Sequence, residues 1–429
     1  MKIHYLIALL AMPAATAAQT WTYDDCVAYA RLHNISLQKA RLTEQTAAVD
    51  LEEAQAQWHP TLDFATSHTY ANYPWTSGNK NSYQSTYGLN ASWTVWNGGV
   101  RENTIRRNRL QTQIDSLATG QTMRTLETDL LQVYLNILYA RESIGVCEEA
   151  AALSAAQAER GKALMQAGRL SRVDYARLDA QSRQDEYALV SARGTYDTRR
   201  MELKQLLELG IDADITPAPV DWDSAQVLAQ LPPMDESYTM ALAADLSLQG
   251  LDVARSAAAI DERIARAGRY PKIALTAGVG TGYYAPGASF GTAMKQGFGE
   301  SVGLTLSIPI LDGKKTRSAV ARARVQQLDA DLDIDKRRND VAREIENWYI
   351  DTRASQARYA AAERALQAAE LSRSLTDEQF ALGYVNTVEL MSAHNDYVEA
   401  RHSLLQAKYM AMLGHKMIEY YRNASVNIP

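Results

Sequence analysis

The sequence predicts an α+β fold that is mostly α: long helical hairpins written twice, with a pair of β-strands in each copy. Three observations predict it: an internal repeat, four segments of period two, and proline-free runs too long for a compact globule. Segment 30–38, ARLHNISLQ, aligns with 241–249, ALAADLSLQ, and at the same offset Trp58-His59-Pro60 meets Arg269-Tyr270-Pro271. A loop four residues longer in the second copy then moves the offset from 211 to 215. LNASWTVWNGG at 89–99 pairs with LTLSIPILDGK at 304–314, and GRLSRVDY at 168–175 with GYVNTVEL at 383–390. Landmarks in one order with consistent offsets mark a duplicated unit.

The elements follow in chain order. Residues 1–17, MKIHYLIALLAMPAATA, carry Lys2, an apolar run and Ala15-Thr16-Ala17, the features of a cleavable secretory signal peptide. No Cys follows the cleavage point, so a lipid anchor is not indicated. The first repeat then spans 18–209, and a linker with Pro217, Pro219, Pro232 and Pro233 spans 210–233. The second repeat spans 234–424, leaving a tail at 425–429. Residues 24–58 read as a helix ended by Pro60, and a hairpin follows at 61–96, with its counterpart at 272–310.

Within these hairpins, Tyr83, Ser85, Tyr87, Leu89, Ala91, Trp93 and Val95 alternate with Gln84, Thr86, Gly88, Asn90, Ser92 and Thr94. Phe298, Val302, Leu304, Leu306, Ile308 and Ile310 likewise share one side of the last strand. Strands of ~10 residues with one apolar face match lipid-facing barrel strands. Trp58, Trp93 and Trp96 cluster near one end, and Tyr70, Tyr73, Trp75, Tyr83, Tyr283 and Tyr284 near the other. Two aromatic girdles suit two membrane–water interfaces. Four strands cannot close a barrel, because the smallest known needs about eight. The chain is therefore expected to oligomerise, two copies giving about eight strands and three giving about twelve.

From Gly99 to Ala167 there is no proline, and a helix of that length extends ~100 Å. Met123, Leu126, Leu130, Val133, Ile137, Ala140 and Ile144 form a heptad seam along it. Gly168 and Gly383 each end a long helix, and Ser171 or Asn386 can cap the next one. Asp174 and Glu389 stand three residues on, at capping-box spacing, so capping is a role for both acids beside any pore role.

Composition excludes other classes. With 44 Lys plus Arg against 50 Asp plus Glu, the formal charge is −6, which is against nucleic acid as a partner. No mature segment supplies the ~18 uninterrupted apolar residues of a membrane-spanning helix. Cys26 and Cys147 fall at heights on neighbouring helices that differ by ~20 Å, too far for a disulfide, and are expected as buried hydrophobes. His394 and His402 lie eight apart, and no HExxH or CxxC occurs. The Asp329, Asp331, Asp333 and Asp335 run lacks the Gly and Glu of a calcium loop. No catalytic, metal or cofactor site is expected.

The doubled helix–hairpin–long-helix–Gly-turn–helix plan, with SWTVWNGG and SIPILDGK opening the long helices, resembles the TolC family of outer-membrane efflux channels over 20–425. The resemblance implies a homotrimer with a 12-strand barrel in outer-membrane lipid and a periplasmic α-barrel. It also implies that residues Gly168, Arg169, Leu170, Ser171, Gly383, Tyr384, Val385 and Asn386 form the periplasmic tip. There a periplasmic adaptor protein would link the channel to an inner-membrane pump. The family's tip acids fall on Glu389 and, in the first copy, Asp174. Its second acid, Tyr and Arg fall on Ser392, Phe380 and Val385, which leaves Asp174, Glu389 and Phe380 as constriction candidates. The implied function is a passive exit duct; the alternative is a trimeric stalk with a barrel anchor and no transport.

Overall fold

The computed structural model describes residues 20–78, 80–283, 289–426 and 428. The expected signal peptide and Tyr284 lie outside the described residues. The first copy runs β1 (Thr20–Trp21), α1 (Tyr23–His33), α2 (Ile35–Ala56), β2 (Thr61–Asn72), β3 (Asn81–Trp96), α3 (Val100–Gln166) and α4 (Arg172–Leu206). A connecting segment adds β4 (Thr216–Pro217) and α5 (Ser224–Val227). The second copy repeats the plan as α6 (Met234–Ala244), α7 (Leu246–Ala267), β5 (Lys272–Tyr283), α8 (Phe290–Gln296), β6 (Gly299–Ser307), α9 (Lys315–Leu382) and α10 (Thr387–Asn423). No described helix is long and apolar enough to cross a membrane.

Two compact units divide the chain. One holds the described residues up to Gln38, Gln121–Asp245, and those from Asn339 on. Its core is built on the α3 seam: Leu126, Leu130, Ile137 and Ala140 are buried, joined by Leu131, Tyr134, Leu135 and Leu138. All of these but Ala140 meet Leu203, Leu207, Ile215, Trp222, Leu405 and Met412 in one apolar cluster. Each such side chain contributes about 1.5–3 kcal/mol on burial, so this cluster supplies most of what holds the unit together. Cys26 and Cys147 are free and buried, in line with their reading as small hydrophobes.

The segment 210–233 is more than a tether. β4 pairs in parallel with β1, Thr20 opposite Thr216, and Ile215, Val220, Trp222 and Val227 are all buried. Its prolines interrupt regular structure, but its spaced apolar residues still fill the core. The helix expected over 24–58 is also corrected, because it breaks at Asn34, whose φ of −63° and ψ of 125° are extended. The Asn34 amide NH₂ donates to the Leu206 carbonyl, and its side-chain oxygen accepts from the Leu37 N–H at 3.1 Å. Short polar side chains that bond nearby backbone compete with the helix in this way. Asp245, its partner in the repeat, breaks the second copy at the same place, with ψ of 111°.

The other unit comprises Lys39–Gly120 and Leu246–Arg338 and carries the sheet. The strands are all antiparallel in the order β2-β3-β5-β6, so β2 and β6 are its edges. β6 stops at Ser307, short of the expected 310. Pro309 stands where the first copy has Thr94, and proline cannot donate to the ladder.

Each hairpin passes into its long helix through left-handed backbone. Gly98 has φ +73° and Gly313 +61°, and the next residues, Gly99 and Lys314, have +82° and +69°. A Cβ on Gly98 would lie 2.8 Å from that of Tyr270, so glycine is required there twice over. Lys314 bears the left-handed cost alone, which is roughly 1 kcal/mol for an L side chain. Lys314→Gly is therefore expected to stabilise this unit by no more than about 0.5 kcal/mol, after the greater freedom of glycine in the unfolded chain is subtracted. Chemical denaturation should resolve it.

Candidate functional site

The two Gly turns have one construction. Gly168, at φ +72°, donates to the Met165 carbonyl, and Arg169 donates to that of Leu164. Gly383, at φ +81°, and Tyr384 make the matching bonds to Phe380 and Gln379. This pair of bonds closes the last carbonyls of a helix and needs a left-handed residue, hence glycine. Arg169 and Tyr384 project from the turns, with Tyr384 80% exposed, while Leu170 and Val385 are half-buried.

The caps that start α4 and α10 hold the two acids. Ser171 Oγ accepts from the Asp174 N–H at 3.0 Å and donates to Asp174 Oδ2 at 2.7 Å. Asn386 Oδ1 accepts from the N–H groups of Val388 and Glu389, and its amide donates to Glu389 Oε1 at 3.1 Å. In both, the acid bonds the capping side chain and not the cap backbone, so only half of a capping box forms. The acids then part company. Asp174 Oδ1 also accepts from the buried Thr387 hydroxyl at 2.7 Å, tying the start of α4 to that of α10. Ser171 and Thr387 together hold its carboxyl below the usual carboxylate range, with Arg177 3.6 Å away adding to the effect. Glu389 is exposed, and among the described residues its carboxylate bonds only Asn386.

Phe380, expected at a constriction, is buried within its own chain. Its ring is 7% exposed and sits in an apolar cluster with Ala158, Leu178 and Leu390, against which Leu170 and Val385 pack. Sequence reasoning missed a polar group farther along the same helices. His394 is wholly buried, with Nε2 2.8 Å from Asp185 Oδ2. Gln181 donates to Asp185 Oδ1 and to Asn395 Oδ1, both at 3.0 Å. Burial pushes the Asp185 carboxyl up, but bonds from His394, Ser154 and Gln181 outweigh it and hold the group below its ordinary range. A histidine on an otherwise apolar helical face was the available signal.

In the sheet unit, one face is mainly apolar. Leu62, Ala91, Ala277 and Val302 stand in one row, and Leu89 and Val279 continue the face from Phe64 in the next. The other face presents rows such as Thr61, Ser92, Thr276, Gly303 and Asp63, Asn90, Gly278, Ser301. Trp93 Nε1 donates to the Trp58 carbonyl, and the Arg101 guanidinium lies 3.5 Å over the Trp58 ring. Trp96 adjoins Tyr270 at this end. At the far end Tyr70 stands opposite Tyr83, which is 6.2 Å from Tyr283, while Tyr73 and the fully exposed Trp75 occupy the turn beyond.

A doubled set of long helical hairpins with such a sheet is matched by the family model for outer membrane efflux proteins over residues 27–208 and 237–412. The chain belongs to that family. Among relatives of this outer membrane efflux protein, BepC of Brucella suis biovar 1 (strain 1330) is 24% identical over 328 residues, 76% of this chain and 69% of BepC. TolC of Escherichia coli (strain K12) is 22% identical over 389 residues, 89% of this chain and 78% of TolC. The solved structure of CusC superposes with a TM-score of 0.79 at 17% identity, covering 97% of this chain and 98% of CusC. The efflux protein is thus an outer-membrane channel of the TolC type, a component of tripartite efflux or secretion systems. Its family is one of channels and not of enzymes.

Proposed function

We propose that three copies of this chain close one 12-strand barrel in the outer membrane. The turns at Gly168 and Gly383 would form its periplasmic end, where an adaptor protein joins it to an inner-membrane pump. The open sheet carries this reading. β2 and β6 each leave a row of backbone groups unpaired beside an apolar face, and lipid offers no water to satisfy them. Only further copies of the same sheet can, and three rather than two follows from the TolC family. Export by the signal peptide at 1–17 supplies the compartment. Trp58, Trp93 and Trp96 form the inner aromatic girdle, and Tyr70, Tyr73, Trp75, Tyr83 and Tyr283 the outer one. The duct itself is passive, and its pump supplies energy and selects the cargo.

The two tip acids divide the work at the closed end. Glu389, exposed and singly bonded, is the pore acid; Asp174, tied to Ser171 and Thr387, is a clamp between the two hairpins. A ring of carboxylates at a narrow end favours cations. Glu389→Gln is expected to lower cation selectivity in planar-bilayer recordings, whereas Asp174→Asn should mainly raise the frequency of opening. Unchanged selectivity in a conducting double variant would sink the acidic-ring reading.

Photo-crosslinkers placed at Arg169 and Tyr384 in the native cell test the docking assignment. The expected product is a covalent complex with a periplasmic adaptor. Crosslinks only between copies of this chain, with pump and adaptor expressed, would instead favour a stalk without transport.

A further inference from the structure

Apart from tyrosines, the apolar face of the sheet carries two ionisable residues among those described, and each lies on an edge strand: His68 on β2 and Glu300 on β6. The central strands present none on that face, where β3 offers Tyr83, Ser85, Tyr87, Leu89, Ala91 and Trp93. A charged side chain facing lipid is costly in a depth-dependent way, less so for acids than for Arg or Lys. Both residues are exposed, and Glu300 has no hydrogen bond or ion pair among the described residues. The His68 ring is half-satisfied. The Tyr83 hydroxyl lies 2.8 Å from Nδ1, while Nε2 has only the Thr66 hydroxyl of its own strand at 3.3 Å. A Tyr83 hydroxyl that donates to Nδ1 leaves the ring proton on Nε2, a donor without a good acceptor.

Strand registers say where a neighbouring copy would bring these groups. The row through Glu300 crosses Val279 and Leu89 and reaches Phe64, four residues short of His68. Suppose β6 of one copy pairs with β2 of the next so that Glu300 faces His68. All nine residues of β6 then gain partners, Ser307 meeting Thr61 and Gly299 meeting Thr69. Leu306, Leu304 and Val302 fall beside Leu62, Phe64 and Thr66 on the lipid side.

The same register sets the strand tilt. It makes the row climb four residues per copy, at ~3.4 Å each, over four strand spacings of ~4.8 Å, which is a tilt of ~35°. Membrane barrels tilt by about 35–45°. A climb of two residues gives only ~20° and one of six ~47°. Odd climbs turn lipid-facing residues inward. A climb of four in the opposite sense leaves β6 with a single partner, Gly299 beside Thr61.

We propose that at each seam between copies Glu300 accepts a hydrogen bond from His68 Nε2 of the next copy, fixing the register in which the barrel closes. This rests on the trimeric reading above. The test places Cys at 300 together with Cys at 66, 68 or 70 in three otherwise native chains, whose Cys26 and Cys147 are buried. Oxidation in the outer membrane should link copies most strongly for the His68→Cys, Glu300→Cys pair. Strongest linking at 66 or 70, or none in a protein with the native mass of a trimer, overturns the register. A native mass other than a trimer's overturns the assembly reading itself, and the seam with it. As a second measure, Glu300→Gln and His68→Gln should each lower the temperature at which the assembly dissociates in detergent. The double variant should fall no further than the weaker single one, whereas additive shifts would refute the contact.

Discussion

Replacing His394 by Ala is expected to destabilise the helical unit by about 3 kcal/mol, the order of cost when a buried charged group loses its partner. His394 is fully buried and Asp185 nearly so, and the 2.8 Å bond joins α10 to α4. Removing the ring leaves a carboxylate in the core with Gln181 and Ser154 as its remaining donors. A His394→Leu, Asp185→Leu pair should recover much of the loss, since apolar side chains of similar volume avoid the desolvation penalty. The pH dependence has a definite sign. Because the folded Asp185 carboxyl is held below its ordinary value, its contribution is fully present above the usual carboxylate range. It is lost as pH falls through the lowered value. His394 supplies the largest of the lowering bonds, so in His394→Ala that loss should begin at higher pH. Amide hydrogen exchange across residues 178–186, followed from neutral pH down to about 3, would show it. Identical protection in variant and wild type would refute a stabilising role.

Gly414→Ala is expected to be the other large effect, and here two terms oppose each other. Alanine is better than glycine inside a helix by about 1 kcal/mol. At position 414, however, a new Cβ would overlap the Thr352 hydroxyl and lie 2.9 Å from its Cβ. Thr352 is fully buried on α9 and bonds its own helix at Trp348, so it has nowhere to move. Overpacking of this kind costs roughly 1–3 kcal/mol, and an overlap this severe lies at the upper end. The net expectation is a loss of about 2 kcal/mol, measured by denaturant or thermal unfolding. Thr352→Ala should relieve it in part, because the hydroxyl goes but the Cβ stays. Gly145 on α3 is the control: nothing lies within 4 Å of a Cβ there, so Gly145→Ala should stabilise by up to about 1 kcal/mol.

What the sequence determined by itself was whatever local pattern and duplication encode. The period-two segments became β2, β3, β5 and β6, the proline-free runs became α3 and α9, and the turns fell at Gly168 and Gly383. These follow from side-chain periodicity and from glycine's access to left-handed backbone, both properties of neighbours in sequence. The break at Asn34 was legible in principle, since Asn is a good cap, but a helical pattern running through it hid the signal. Tertiary structure decided the rest, because it turned on contacts between residues far apart in the chain. Asp185 meets His394 across 209 positions, and Thr387 reaches Asp174 across 213, which separates two acids that look equivalent by repeat position. Phe380 is buried within its own chain because Leu178 and Leu390 close around it. The ladder that leaves His68 and Glu300 on opposite free edges likewise exists only once β3 and β5 have paired.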